Sequence, residues 1–235
     1  MAAKYKSRKE LLKKPDEFIT LTGKAIAITR DYQNQITYTL LAIVAIGFIF
    51  LGYRFFAQRA ETKAFSMLQK TQSAYETQKA TSSSEEAYNT VSQAFQDILK
   101  KYGGNAGGKL ARVIYANISY EAGQYEKAIT LYKHSLNDFQ DDKAVNNLIL
   151  NSLGHAYQQM KDTQNAAVYF ERAAAQTDSF VREDALFNLG WVYQKMGQAD
   201  KSRQTLQQMV DDYPNSLYFD MVQEELSARK SDSAS

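Results

Sequence analysis

Leu153-Gly154-His155-Ala156-Tyr157 returns 36 residues later as Leu189-Gly190-Trp191-Val192-Tyr193. The same offset carries Ala166, Phe170 and Ala173 onto Ser202, Leu206 and Met209. Upstream, Gly123-Gln124-Tyr125-Glu126-Lys127-Ala128 with Tyr132 aligns with Ala166 and Phe170 at an offset of 38. A self-similar period of this length is the mark of stacked helix hairpins. Its small positions, Gly154, Gly190 and Ala128, read as points where two helices approach too closely for a larger side chain. Tyr157, Tyr193, Tyr132 and Phe170 read as fillers between neighbouring units. From 109 to 230 there is one proline and no sustained strand-like alternation, so the stretch reads as helix throughout.

These residues resemble the tetratricopeptide repeat, a 34-residue helix–turn–helix unit with L-G-x-x-Y on its first helix and G-x-Y-x-x-A at its turn. Asp211-Asp212-Tyr213-Pro214 supplies the closing proline of that family. The resemblance implies an all-α fold, an α-solenoid of tetratricopeptide-like helix hairpins at about 109–142, 147–180 and 183–216, with a closing helix within 109–230. Phe95 to Tyr102 ends like the later units, which suggests linking helices or a degenerate first repeat over 57–102. Departures are specific. Ser119 stands where the first-helix tyrosine belongs, with Tyr120 beside it, and Lys161 replaces the turn glycine.

Residues 32–53 hold no charged side chain, and Ile36 to Tyr53 is almost wholly apolar. About 20 helical residues cross a hydrocarbon core roughly 30 Å thick, so 32–56 reads as one transmembrane signal anchor. A cleaved signal peptide would have a shorter apolar core and a small-residue site after it, where Arg54-Phe55-Phe56-Ala57-Gln58-Arg59 stands. Residues 1–31 carry eight Lys or Arg against four acids, which predicts a cytoplasmic N-terminus and a C-terminal domain outside, periplasmic in a bacterium. In this head, Phe18, Leu21, Ala25, Ile28 and Tyr32 give one apolar helical face. It reads either as a membrane-surface helix or as a lead-in to the span.

The chain's net charge of +2 conceals a split. Residues 60–235 carry 18 bases and 22 acids, which argues against nucleic acid as the partner of the exported part. With no cysteine, that part must be held by its apolar core. Gly103 to Lys109 fits G-x-x-x-x-G-K, but Leu110 follows it and an amphipathic helix precedes it. A phosphate loop needs Ser or Thr and a strand at those places. The run reads instead as a flexible joint. The two histidines, His134 and His155, fall on different helices and support neither metal binding nor His-based catalysis. Acid pairs such as Glu183-Asp184 read as helix-end residues explained by solvation or by contacts with the N-terminal dipole. No cofactor, small-molecule substrate or enzymatic activity is expected.

In the tetratricopeptide family the first helices line a concave groove. Projection of the repeat places Asn117 and Tyr120, then Asn151, His155 and Gln158, then Phe187, Asn188, Trp191 and Gln194 on it. The amides could bond an extended peptide backbone. Trp191 either anchors a ligand or packs on its own neighbouring helix. Head, anchor and repeats together resemble the bacterial ancillary subunit family of the Sec translocon. That resemblance implies an inner-membrane protein that partners translocon subunits and passes exported chains to periplasmic chaperones. The alternative expectation is a scaffold of an envelope or cell-division complex, whose repeats the Asp211–Tyr218 stretch also resembles.

Overall fold

The computed structural model describes Gly23 and residues 32–232, with side chains to 228. Phe18, Leu21, Ala25 and Ile28 lie outside the described residues. Nine helices run in order through these: α1 Gln33–Lys79, α2 Ser84–Tyr102, α3 Ala106–Glu121, α4 Tyr125–Asp138, α5 Lys143–Gln159, α6 Thr163–Ala174, α7 Arg182–Lys195, α8 Ala199–Asp212 and α9 Phe219–Asp232. There is no strand among the described residues. The chain divides into two compact units, Met1–Gln58 and Arg59–Ser235.

In the first unit, the described chain is the apolar part of α1. This helix is long and apolar enough to cross a membrane, and none of its most apolar 18-residue window is buried. The hydroxyls of Thr37 and Thr39 donate to the carbonyls of Gln33 and Gln35, each at 2.8 Å. Polar groups satisfied within their own helix carry a small penalty in lipid.

The second unit is a succession of hairpins. Along α1, Ala64, Leu68, Thr71 and Tyr75 are buried at spacings of 4, 3 and 4, a single stripe. Ser83 caps α2 by accepting from the Glu86 amide at 3.2 Å, and Ala87, Val91, Phe95 and Ile98 form its buried face. From α2 onward each helix packs on the next, and α5 also touches α7 across α6. These buried faces merge into one continuous core that ends at Val222 and Leu226 of α9. Neighbours therefore stabilise each other, as stacked repeats must.

Close approach explains the repeated glycines. A Cβ on Gly154 would lie 2.5 Å from the ring of Phe170, and one on Gly190 would lie 2.4 Å from Leu206. The turns between paired helices use one geometry three times. Gly123, Lys161 and Gly197 all have positive φ (74°, 61° and 73°). The next amide in each case returns to a carbonyl five residues back: Gln124 to Ser119, Asp162 to Tyr157 and Gln198 to Tyr193. Lys161 thus adopts the left-handed conformation that glycine takes in its two sister turns.

The glycine-rich segment 103–108 differs from the flexible joint its composition suggests. Gly107 and Gly108 already lie within α3. A Cβ on Gly107 would meet Ala64 Cβ at 2.9 Å, and one on Gly108 would meet the Tyr102 carbonyl oxygen at 1.8 Å. Glu61 of α1 accepts from the amides of Ala106 and Gly107 at 3.1 and 2.7 Å. Its carboxylate therefore caps the positive end of α3 from another helix. Glycine here permits dense packing, and the backbone is held.

A second device links successive hairpins. Near its start each first helix sends a side chain back to the carbonyl that ends the preceding second helix: Arg112 to Gly103, Asn146 to Leu136 and Arg182 to Ala174, at 3.2, 3.3 and 2.9 Å. Arg112 also pairs with Asp138 in a nearly dry setting. Arg182 pairs with the more exposed Asp212 at 2.8 Å.

Candidate protein-binding groove

The projected residues lie on the first helices α3, α5 and α7, with Asn151 buried, and several of the amides are already engaged. Asn117 accepts the Tyr132 hydroxyl proton at 2.6 Å. The Asn151 amide donates to Asp184 at 2.8 Å, and the Asn188 amide donates to the backbone and side-chain oxygens of Asp184 at 2.8 and 3.0 Å. His155 Nε2 lies 2.7 Å from the same carboxylate. Gln194 donates to Glu225 of α9 at 3.0 Å. The low-dielectric inter-helix space favours pairing polar groups with one another, and these side chains are partly paired in that way.

Asp184 sits at a helix N-terminus, as expected of the acid pairs, but it is also a hydrogen-bond hub, which that reading did not anticipate. It sits in the first turn of α7, three residues before Phe187 and seven before Trp191, hence on the same face of the helix as both. Burial raises its pKa, but hydrogen bonds from His155 and Asn151, with His155 charge and Asn188 in support, carry the net shift below the usual value. Extending the groove periodicity one turn towards the start of α7 would have found it. Its neighbour Glu183 accepts from Ser216 at 2.5 Å, so it too is engaged.

The aromatic residues divide in two. Phe187 stacks on Tyr218 at 4.0 Å between centroids and meets Trp191 edge-on at 6.1 Å. Trp191 is half-buried and its Nε1 has no hydrogen-bond partner among the described residues. Through Phe187 these rings pack α7 against the segment leading into α9. Tyr120, half-buried and edge-on to Tyr125 at 5.5 Å, stands apart from them. With Tyr132, Ser152 and His155 it lines an open depression of about 290 Å³. Tyr132 and Ser152 were outside the projected set because Tyr132 lies on a second helix and Ser152 sits beside the projected face. Gln158 is half-buried near the same end of α5.

A larger concavity of about 560 Å³ lies between Lys143, Ala144 and the 175–180 segment, with the exposed Phe180 on its rim. No projected groove residue lines it. Among the described residues no three His, Asp or Glu side chains converge as a metal site.

Comparison with known proteins agrees with this architecture. A tetratricopeptide repeat profile matches residues 184–216, and a second of the same description matches 149–175. No curated protein matches the sequence. Similar solved structures include the nearly identical TPR-like repeats of a kinesin light chain candidate from Podosopora anserina, with TM-score 0.54 and 17% identity over 69% of this chain and 83% of that one. BtubC (BKLC) from P. vanneervenii gives 0.51 and 12% over 73% and 82%. MamA protein gives 0.51 and 19% over 70% and 85%. At these identities the likeness is one of fold. The chain carries tetratricopeptide repeats and folds as an all-α solenoid. Such arrays act by contacting other proteins along their extended surfaces.

Proposed function

We propose that this protein is a membrane-tethered interaction subunit. It crosses the inner membrane once through α1, with its N-terminus cytoplasmic and its repeats periplasmic. There it works beside the Sec translocon and passes exported chains to periplasmic chaperones without catalysing a reaction. The observation that carries this reading is the joining, in one chain, of an uncharged apolar helix to tetratricopeptide repeats. Flanking charge supports the orientation. The resemblance to the translocon's ancillary subunits supports the partner. Tethering confines the groove to a thin layer at the bilayer, so weak contacts with an emerging chain suffice through effective concentration.

The scaffold alternative draws on the internal engagement of Asn117, Asn151 and Asn188, which removes grips for an extended backbone. In-cell photo-crosslinking of the full-length chain from Gln158 separates the two. Translocon subunits together with many exported chains are expected. One constant folded partner, with no translocon subunit recovered, would overturn the proposal in favour of a scaffold.

A further inference from the structure

We infer that the end of the second unit formed by residues 59–65 and 97–109 binds anionic phospholipid headgroups at the bilayer surface. The inference rests on the reading that α1 spans the membrane, and it adds a lipid partner for the repeats. Residues 59–65 of α1 and the junction of α2 with α3 are packed together there. Glu61 accepts from the amides of Ala106 and Gly107, and a Cβ on Gly107 would meet that of Ala64 at 2.9 Å. The two stretches carry five bases, Arg59, Lys63, Lys100, Lys101 and Lys109, against two acids, Glu61 and Asp97.

The acids at this end do not cancel the bases. The Glu61 carboxylate is committed to the start of α3, and Asp97 accepts from Gln93 at 3.2 Å. Arg59, Lys63, Lys100 and Lys101 are exposed and Lys109 is half-buried. None of the five side chains has an ion pair or hydrogen bond among the described residues. Lys79, Arg112 and Arg182, by contrast, each meet a carboxylate. Five unpaired cations gathered at one end repel one another, and an anionic surface relieves that repulsion.

Chain length alone brings that surface within reach. Arg59 follows Phe56 by three residues, a span of at most about 11 Å even when fully extended. The headgroup layer is about 5–8 Å deep beyond the hydrocarbon, and the Debye length is about 8 Å at physiological salt. The rest of the same edge has the opposite charge. Successive helices alternate in direction, so the segments 139–142, 175–181 and 211–220 lie along the edge that holds 103–105. They carry six aspartates and no lysine or arginine. An anionic bilayer therefore attracts the start of the array and repels the remainder. An acidic protein could pair with the same bases, but only the bilayer is held beside them by the chain itself.

The chain has no cysteine, so a fluorophore can be placed at one chosen site of the full-length protein. Gly104→Cys puts it at the basic end, where a Cβ meets nothing within 4 Å. Gln124→Cys, exposed in the turn at the opposite end, is the control, and Val44→Cys reports insertion of the apolar run. The labelled proteins are placed in nanodiscs of phosphatidylcholine alone or with about one third phosphatidylglycerol. Nitroxide lipids, spin-labelled on the headgroup for 104 and 124 and on the acyl chain for 44, quench the fluorophore on contact. Headgroup quenching at 104 is expected to be stronger in the phosphatidylglycerol discs, with no such difference at 124. Each of Lys63→Gln, Lys100→Gln and Lys101→Gln should lower the contact population about 5-fold. About 1 M salt, where the Debye length is about 3 Å, should bring 104 to its phosphatidylcholine level. Equal quenching at 104 in the two lipids, or a difference that survives both salt and the triple variant, overturns the inference and leaves the bases to an acidic protein. With 44 quenched by the acyl-chain nitroxide, that result sinks the lipid contact alone and leaves the translocon proposal to its crosslinking. No quenching at 44 overturns the spanning reading and the lipid contact together.

Discussion

Gly154→Ala is the sharpest perturbation of the stacking. The added Cβ would lie 2.5 Å from Cδ1 and Cε1 of Phe170 and 2.8 Å from its Cγ. Carbon atoms rest at about 3.5–4.0 Å, so the ring must move by about 1 Å. It has nowhere convenient to go, being fully buried with the His155 ring edge-on at 5.1 Å. Overpacking of this kind costs about 1–3 kcal/mol. Replacing a mid-helix glycine by alanine returns about 1 kcal/mol of helix propensity. The net is a destabilisation of up to about 2 kcal/mol, or a fall in Tm of up to about 8 °C for a unit of this size. Far-UV circular dichroism of the full-length protein in micelles reads it. Gly104→Ala, whose Cβ would meet nothing within 4 Å, is the control and should change Tm little. In a Phe170→Ala background the same Gly154→Ala change should become neutral or stabilising, because the ring it strikes is gone. A rise in Tm for Gly154→Ala alone, as helix propensity by itself would give, refutes the close approach of α5 and α6.

Three other outcomes are expected. Lys161→Gly should stabilise the protein by about 1 kcal/mol in urea unfolding, because it relieves a left-handed residue in a turn whose two sisters use glycine. Arg112→Ala should cost about 3 kcal/mol by leaving Asp138 buried without its partner, and Arg182→Ala should cost less because Asp212 is 39% exposed. Asp184 has a folded pKa below its ordinary value near 3.8, so its contribution is fully present above about pH 4 and is lost as pH falls through the lowered value. The stability of Asp184→Asn should accordingly fall less steeply than that of the parent below pH 4.

Legibility followed the range of the interactions. The apolar uncharged run and the L-G-x-x-Y recurrence are local patterns, and local periodicity is enough to specify helices and their pairing. Gly154 and Gly190 could be read as close approaches because the repeat placed a small residue at the same point twice. Even the odd turn at Lys161 was visible, since its sisters have glycine. The groove was half visible. Tyr120 and His155 line the depression, but the engagement of Asn117, Asn151 and Gln194 depends on residues 15 to 33 positions away. The glycine-rich segment misled for the same reason, because its constraint comes from Ala64 and Glu61 on another helix.

By itself, then, the amino-acid sequence determined an all-helical chain, the phase of its repeats and an apolar segment long enough for a bilayer, all consequences of side chains a few residues apart. The tertiary structure alone decided that Glu61 caps α3, that Arg112 and Arg182 clasp one hairpin to the one before, and that Asp184 gathers Asn151 and His155 around itself. Those contacts join helices that only stacking brings together. A buried polar atom takes whichever partner the fold delivers, so no local pattern encodes the choice.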